Sequence, residues 1–148
     1  MELLRKVSKF TTSIDEKRNI YILYIRSVLE QSCTVWHSSL TEENSNNLER
    51  VQKAAIRIIL GKKYTSDYEK NLIKSDLDSL KIRREILCRK FAKNCVANDK
   101  TENMFLKNTK KHKMKTKNQN KYEIKHANTT RLLKSSIPYM RRLLNSKN

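Results

Sequence analysis

The chain has 148 residues, enough to bury the core of one domain but with little room for a second. It contains one glycine and one proline, which argues against β-sandwiches, β-barrels and glycine-rich phosphate loops, because all of these need many tight turns. The formal net charge is +18, so the chain repels itself unless an anionic partner is close. We therefore predict an all-α fold, with a small helical bundle, further helices and a basic, partly disordered C-terminal tail.

The positive charge is distributed unevenly along the chain. Residues 107–148 contain 13 basic residues against one acidic residue, a net +12, and residues 1–106 contain 20 against 14, a net +6. Such a chain would neutralise several phosphates, and its binding would depend steeply on salt. Nucleic acid is therefore the partner that the composition favours.

Cysteine usage and hydropathy favour the interior of the cell. Cys33, Cys88 and Cys95 cannot all pair within one chain, and no small-residue cleavage site follows an apolar start. The longest apolar run, residues 20–25, is ended by Arg26 far short of bilayer length. We expect a soluble, reduced, intracellular protein in the nucleus or cytoplasm, with no membrane partner.

Two helices are predicted before residue 37. A short helix ends near Phe10, and a capping box at residues 13–16 starts a second helix that continues towards Trp36. Apolar residues cover much of the circumference of the second helix, which favours a central and deeply buried element. Arg26 and Glu30 lie four residues apart within it, a spacing that allows an ion pair.

The next helix has the clearest boundaries of the chain. Thr41 supplies a cap, Glu42 and Glu43 complement the positive end of the helix, and Gly61 can take the left-handed turn that closes it. Apolar residues at steps of three and four predict the face that packs on the core: Leu48, Val51, Ala55 and Ile58.

A basic stripe lies on nearly the opposite side of the same helix. It consists of Arg50, Lys53 and Arg57, which follow the same steps of three and four. An apolar face that anchors the helix while cations remain in water is expected of an element that rests against the backbone of a polyanion. A solvated cationic face is the alternative explanation of three charges taken alone.

Two further helices are predicted downstream. A capping box at residues 66–69 starts a short helix through Ile73, and Asp76 or Asp78 can cap a longer helix towards Ala97. The longer helix has a predicted core stripe, while its cations are spread round the rest of the circumference. That stripe comprises Leu80, Leu87, Phe91 and Cys95.

The C-terminal region divides into a polar segment and a last helix. Residues 107–128 lack apolar periodicity and cannot offset their ordering entropy, so they are predicted to form a basic, flexible linker. Pro138 fits the first turn of a terminal helix with Met140, Leu143 and Leu144 on one side. The predicted organisation is a helical bundle over 1–106, the linker, and a helical segment over 129–148.

No pattern indicates catalysis, a cofactor or a metal. The adjacent acidic pairs, at 15–16 and 42–43, are explained as helix starts. The cysteine and histidine spacings lack the short Cys-x-x-Cys or His-x3-His steps of zinc sites. Cys33 and His37 lie four residues apart, but no acid that could orient the histidine is near in sequence.

Several aromatic residues could stack on nucleobases. Tyr21, Tyr24 and Trp36 belong to the most apolar predicted helix, so core packing is the favoured explanation for them. Tyr64 and Tyr68 flank the turn that contains the single glycine, and they are the better candidates for contact with a sugar or base.

A succession of short sequence words resembles the region downstream of the palm in reverse transcriptases of non-LTR (LINE-type, jockey-like) retrotransposons. The order and spacing of the words agree with that family over nearly the whole chain. They are YIRSVLE at 24–30, VW at 35–36, LERVQKAA at 48–55, LKIRR at 80–84, SIPYM at 136–140 and LLN at 143–145.

The resemblance implies that residues 3–60 form the helical thumb that closes over the template and primer duplex, followed by a basic extension. It gives the basic stripe a partner, the backbone of RNA, DNA or an RNA–DNA hybrid. The fingers, the palm and the paired catalytic aspartates of the family have no counterpart, since the chain contains no Asp-Asp. We therefore expect a noncatalytic terminal piece of a broken or separately expressed element, which needs no cofactor.

Three functional hypotheses follow. The first is sequence-independent binding of nucleic acid backbone by a set of cations: Arg50, Lys53, Arg57, Lys62, Lys63, Arg83, Arg84, Lys110, Lys111, Lys113, Lys115 and Lys117. The second is a protein interaction module whose apolar surface needs the missing polymerase domains as a partner. The third is a remnant of a degraded element without function. The lysine-rich residues 110–121 also fit a nuclear address.

Overall fold

The structure, a computed structural model, describes residues 2–10, 13–108, 121–124 and 126–146. Within these ranges there are helices and no strand, and a single isolated antiparallel bridge pairs Lys107 with Tyr122. The prediction of an all-α fold is confirmed. The α-helices are α1 (Glu2–Val7), α2 (Ile14–Ile20), α3 (Ser27–Glu30), α4 (Cys33–Trp36), α5 (Glu42–Leu60), α6 (Tyr68–Ser75), α7 (Leu80–Ala97), α8 (Thr130–Leu133) and α9 (Ser136–Asn145).

The chain forms two compact units. Unit 1 comprises Met1–Ser32 and Leu40–Arg84, and unit 2 comprises Cys33–Ser39 and Glu85–Asn148. This division differs from the predicted segments 1–106, 107–128 and 129–148. The physical reason is that the second half of α7 shares its apolar core with the C-terminal helix, a pairing between distant residues that periodicity along the chain does not reveal.

Helix α5 forms as predicted at both ends. The hydroxyl of Thr41 accepts a hydrogen bond from the amide of Asn44 at 3.2 Å, and Gly61 adopts φ +52° where the helix closes. A β-carbon would strain that backbone conformation, which explains the glycine. The boundaries inferred from the sequence are therefore confirmed.

The core face of α5 is rotated by about one residue from the predicted stripe. Leu48, Val51 and Ile58 are half-buried, whereas Gln52 and Ile56 are fully buried. The rotation follows from the partners that Gln52 finds in the tertiary structure. The main buried apolar cluster of unit 1 consists of Leu4, Tyr21, Ala55, Ile56, Ile59, Leu60 and Leu77.

The segment expected to be the most buried helix is interrupted. A π-helix over Tyr21–Arg26 follows α2, and a residue with positive φ, Ser32, separates α3 from α4. Leu23, Tyr24 and Val28 are 62–66% exposed, so the predicted central position is wrong for this segment. An apolar circumference predicts burial only where neighbours exist on every side, and the described part of unit 1 supplies them on one side.

Three local predictions downstream of α5 need correction. Asp67, not Ser66, caps α6, because its carboxylate accepts from the amides of Glu69 and Lys70. Ser79, not an aspartate, caps α7 through the amide of Ile82. Phe91 is 47% exposed, since the buried face of α7 passes through Leu80, Arg84, Cys88, Ala92 and Cys95.

Unit 2 gathers its core around the C-terminal helix. Met140 and Leu143 are buried as predicted, and Pro138 lies in the first turn of α9. Tyr122, which lies in the predicted linker, is 6% exposed, and its backbone exchanges two hydrogen bonds with the side chain of Asn145, each 2.9 Å long. In the described ranges, no helix is both long and apolar enough to cross a bilayer.

Candidate nucleic-acid interface

The basic stripe lies on the outer side of α5. Arg50, Lys53 and Arg57 are exposed, and they lie opposite the buried positions Gln52 and Ile56. The helical period explains this separation, because residues three and four apart share a face. The outward display predicted from the sequence is therefore confirmed, while binding through it stays a prediction.

The cations of the basic stripe are not neutralised by the protein. No carboxylate of the described residues lies within 4.0 Å of Arg50, Lys53 or Arg57. Elsewhere in unit 1 such pairs do occur, as between Arg18 and the carboxylate of Asp15 at 3.2 Å. Unpaired exposed cations keep their full charge available to an anionic ligand.

Two tyrosine rings lie beneath two of these cations. The ammonium of Lys53 lies 4.7 Å from the centroid of the Tyr68 ring, and the guanidinium of Arg57 lies 5.1 Å from the centroid of the Tyr64 ring. Both distances are within the range of a cation–π interaction. Such contacts hold a long side chain in place without cancelling its charge, in contrast to an ion pair.

A buried polar network fixes the Tyr68 ring. Its hydroxyl donates to a carboxylate oxygen of Glu49 at 2.7 Å and accepts from the side-chain amide of Gln52 at 3.2 Å. The same amide donates to the backbone carbonyl of Asp78 at 2.8 Å, and the amide oxygen of Gln52 accepts from the Tyr21 hydroxyl at 2.7 Å. Buried polar groups that are all satisfied in this way specify one arrangement of their neighbours.

The network also perturbs the acidity of the two phenols. Burial raises the pKa of the Tyr21 hydroxyl above its usual value, and Arg26 opposes that rise. Burial likewise raises the pKa of Tyr68, and its hydrogen bond to the carboxylate of Glu49 adds to the effect. Both hydroxyls therefore stay protonated, and act as donors, well above neutral pH.

Lys62 and Lys63 continue the positive surface beyond the end of α5. They lie in a short 3-10 helix over Gly61–Lys63, and both are exposed. Neither has a carboxylate partner among the residues that the structure describes. Cations at a helix C-terminus also complement its negative end, so a structural role is available to them in addition to ligand binding.

The two arginines at the start of α7 do not belong to this surface. Arg84 is 0% exposed, and its guanidinium donates to the Ser45 hydroxyl at 2.9 Å, so its assignment as a phosphate contact is wrong. Arg83 forms an ion pair with Glu30, a carboxylate that Arg26 also approaches, at 3.9 Å. Burial and the charge of Arg83 lower the pKa of Arg26.

The remaining candidate cations lie outside the described residues. They are Lys110, Lys111, Lys113, Lys115 and Lys117 in the predicted linker. Their predicted contribution to binding rests on sequence alone.

The residues considered for chemistry have structural partners. Cys33, Cys88 and Cys95 are buried thiols, and the thiol of Cys88 faces the carbonyl oxygen of Cys33 at 4.0 Å. His37 contacts the Tyr139 hydroxyl at 3.1 Å, and burial raises the pKa of Tyr139 to about 12. In the ranges that can be described, no group of three or more metal-binding side chains converges.

Sequence reasoning missed the polar network beneath the basic stripe. Its signal was a glutamine, Gln52, placed between the apolar positions of an amphipathic helix, where a polar residue needs partners. The partners Tyr21 and Tyr68 lie 31 and 16 residues away along the chain, so periodicity within α5 does not reveal them.

Comparison with known proteins leaves the resemblance untested. No protein-family model, curated protein or solved structure matches this chain. The relation to retrotransposon reverse transcriptases therefore stays a prediction from the sequence words.

Proposed function

We propose that this chain is a noncatalytic C-terminal piece of a non-LTR retrotransposon reverse transcriptase that binds the backbone of RNA, DNA or their hybrid without sequence specificity. The observation that supports it is the basic stripe on α5. Arg50, Lys53 and Arg57 are exposed and lack carboxylate partners in the described residues, and two of them are seated on aromatic rings. The lysines of residues 110–117 add charge to the same task.

The stripe makes backbone contact the favoured chemistry. Lysine and arginine neutralise phosphates and release counterions, and this term does not depend on base sequence. The opposite face of α5 is anchored in the core of unit 1, so the cations are held on a rigid helix. A rigid, positive and solvent-facing ridge fits a polyanion better than it fits a small-molecule substrate.

The test is a salt titration with the full chain and a triple variant. Replacing Arg50, Lys53 and Arg57 with alanine should weaken binding to a 20-base-pair RNA–DNA hybrid, measured by fluorescence anisotropy. Since three phosphate contacts are lost, the slope of log affinity against log salt should fall by about 2 to 3. The circular dichroism spectrum of the triple variant should match that of the parent chain, because these side chains lie outside the core.

A charge-matched variant serves as the control. Lys6, Lys70 and Lys81 lie in the same unit, are 62–72% exposed at the side chain, and are paired with Glu2, Asp67 and Glu42. Their replacement with alanine lowers the net charge by the same amount but should change the slope much less. Equal loss in both variants would reduce the effect to net charge and contradict a defined interface, as would unchanged affinity in the triple variant of the stripe.

A second candidate function is a protein interaction module, supported by the exposed apolar side chains Leu23, Tyr24 and Val28. An apolar patch on a surface favours association with another protein surface. In this case light scattering without nucleic acid should detect assemblies, and changing Leu23 and Val28 to serine should disperse them. Monomers that bind oligonucleotides would favour the first function instead.

A further inference from the structure

Tyr64 and Tyr68 differ from ordinary exposed aromatic residues in what their rings touch. Each ring turns one face towards the basic stripe, and on that side Arg57 or Lys53 lies over it. A cation–π contact occupies no hydrogen-bond acceptor of a ligand, so the guanidinium keeps N–H donors that an anion can reach. A lysine ammonium has three donors and can likewise face a ring while it binds an anion.

The two rings are also held firmly. The hydroxyl of Tyr68 is bound to Glu49 and Gln52, as described above, and Tyr68 is the first residue of α6. Tyr64 packs against the apolar core of unit 1, and its backbone amide donates to the carbonyl of Gly61 at 3.2 Å.

A buried asparagine fixes the loop between the two rings. Asn71 is 0% exposed; its side-chain oxygen accepts from the amide of Thr65 at 2.9 Å, and its nitrogen donates to the Thr65 carbonyl at 2.7 Å. Both backbone groups of Thr65, the residue after Tyr64, are therefore hydrogen-bonded to one buried side chain.

We infer that Tyr64 and Tyr68 are positioning residues, which hold Arg57 and Lys53 in a phosphate-binding arrangement and do not stack on bases. The inference rests on the proposed function and deepens it, because it defines the ligand as the sugar–phosphate backbone alone. A side chain that is already ordered loses less freedom when it binds, so the rings raise affinity without adding a contact to the ligand. This role differs from the contact with a sugar or base that the sequence predicts for these tyrosines.

The test is a double-mutant cycle on the full chain. Tyr64→Phe keeps the ring and should bind the RNA–DNA hybrid as the parent does, whereas Tyr64→Leu should lose about two- to fivefold in affinity. The salt slope should not change, since the number of cations is the same. In the Arg57→Ala background, Tyr64→Leu should have no further effect, because the cation that the ring holds is gone.

Two results of this cycle would overturn the inference. One is full affinity in Tyr64→Leu, and the other is an equal loss in the Arg57→Ala background, which would indicate a general effect on the fold. If the triple variant of the stripe binds normally, the proposed function itself fails. If that variant is impaired but the cycle is additive, only the positioning role fails.

An abasic ligand tests the exclusion of stacking. A single strand without bases should bind within about twofold of a normal strand of the same length and charge. Stacking of one base is worth roughly 1–3 kcal/mol, so tighter binding of the normal strand by fivefold or more would show that the rings stack on bases. Binding of both strands should respond equally to Tyr64→Leu.

Discussion

Two parts of unit 1, helix α5 and the start of α7, contain arginines in opposite environments. On α5, Arg50 and Arg57 are exposed, and no carboxylate of the described residues lies within ion-pair distance of them. At the start of α7, Arg83 is paired with Glu30 and Arg84 is fully buried against Ser45. The same residue type lies on a solvent-facing surface in one helix and in the interior of the protein in the other.

This difference shows when the sequence alone can predict that a cation faces solvent. On α5 the apolar and basic residues lie on opposite sides, so the side that faces solvent is defined by the pattern. On α7 charged residues are spread round the helix, so at least some must face the protein. Four experiments test this contrast between α5 and α7.

Replacing Arg84 with alanine should have the largest effect. The change removes a fully buried side chain and leaves the Ser45 hydroxyl without the guanidinium, which we expect to lower the free energy of unfolding by about 3 kcal/mol. Urea denaturation followed by circular dichroism measures it. Arg50→Ala, on the exposed face of α5, is the matched control; a similar midpoint for both variants would mean that Arg84 is not part of the interior.

Replacing Gln52 with leucine should be the next most damaging change. Leucine has about the volume of glutamine but cannot form hydrogen bonds, so the Tyr21 hydroxyl, the Tyr68 hydroxyl and the Asp78 carbonyl each lose one partner. We expect the free energy of unfolding to fall by about 2 kcal/mol. Ala54→Leu places the same side chain at an exposed neighbouring position and should unfold close to the parent midpoint. Equal or greater stability of the Gln52 variant would contradict the structural importance of the network.

Raising the pH should lower the free energy of unfolding, because Tyr68, which packs against α5, ionises more easily in the unfolded chain. Its pKa is raised on folding, so below about pH 10 it is protonated in both states, and above that pH the unfolded chain loses the proton first. The stabilisation by protonated Tyr68 is lost as the pH rises from the pKa of the unfolded chain through the higher pKa of the folded chain. After solvent screening, the free energy of unfolding should have fallen by about 1 kcal/mol at pH 11.

A comparison with Tyr68→Phe isolates this ionisation. The parent chain should lose more stability between pH 8 and pH 11 than the variant, because lysine titration is common to both. The same loss in the two proteins would show that Tyr68 is accessible to solvent in the folded state.

The triple alanine variant of the basic stripe should have the smallest effect on stability. Exposed side chains away from caps and networks usually change the free energy of unfolding by less than about 0.5 kcal/mol. Thermal unfolding should therefore match the parent while nucleic acid binding is weakened. A marked drop in midpoint would show that the stripe supports the fold, and the contrast with α7 would disappear.

Much of the candidate site could be predicted because it depends on residues that are close together in the sequence. The cap at Thr41, the closure at Gly61 and the outward side of Arg50, Lys53 and Arg57 all follow from residues within one helix. The roles of Tyr64 and Tyr68 were not predictable, since they depend on where a second segment returns to α5. A tyrosine beside a lysine-rich turn has the same sequence pattern whether its ring meets a base or a neighbouring cation.

The helical class, the boundaries of α5 and the side of that helix on which the cations lie can all be predicted from the amino-acid sequence. These features depend on turn-forming residues, capping side chains and a period of 3.6, all of which act over a few neighbouring positions. Three features are visible only in the tertiary structure. Arg84 lies in the interior, Gln52 hydrogen-bonds two tyrosines that are distant in sequence, and the side chains of Leu23 and Val28 are exposed. Burial depends on which distant segment packs against a residue, and hydrophobic spacing along one helix does not specify that neighbour.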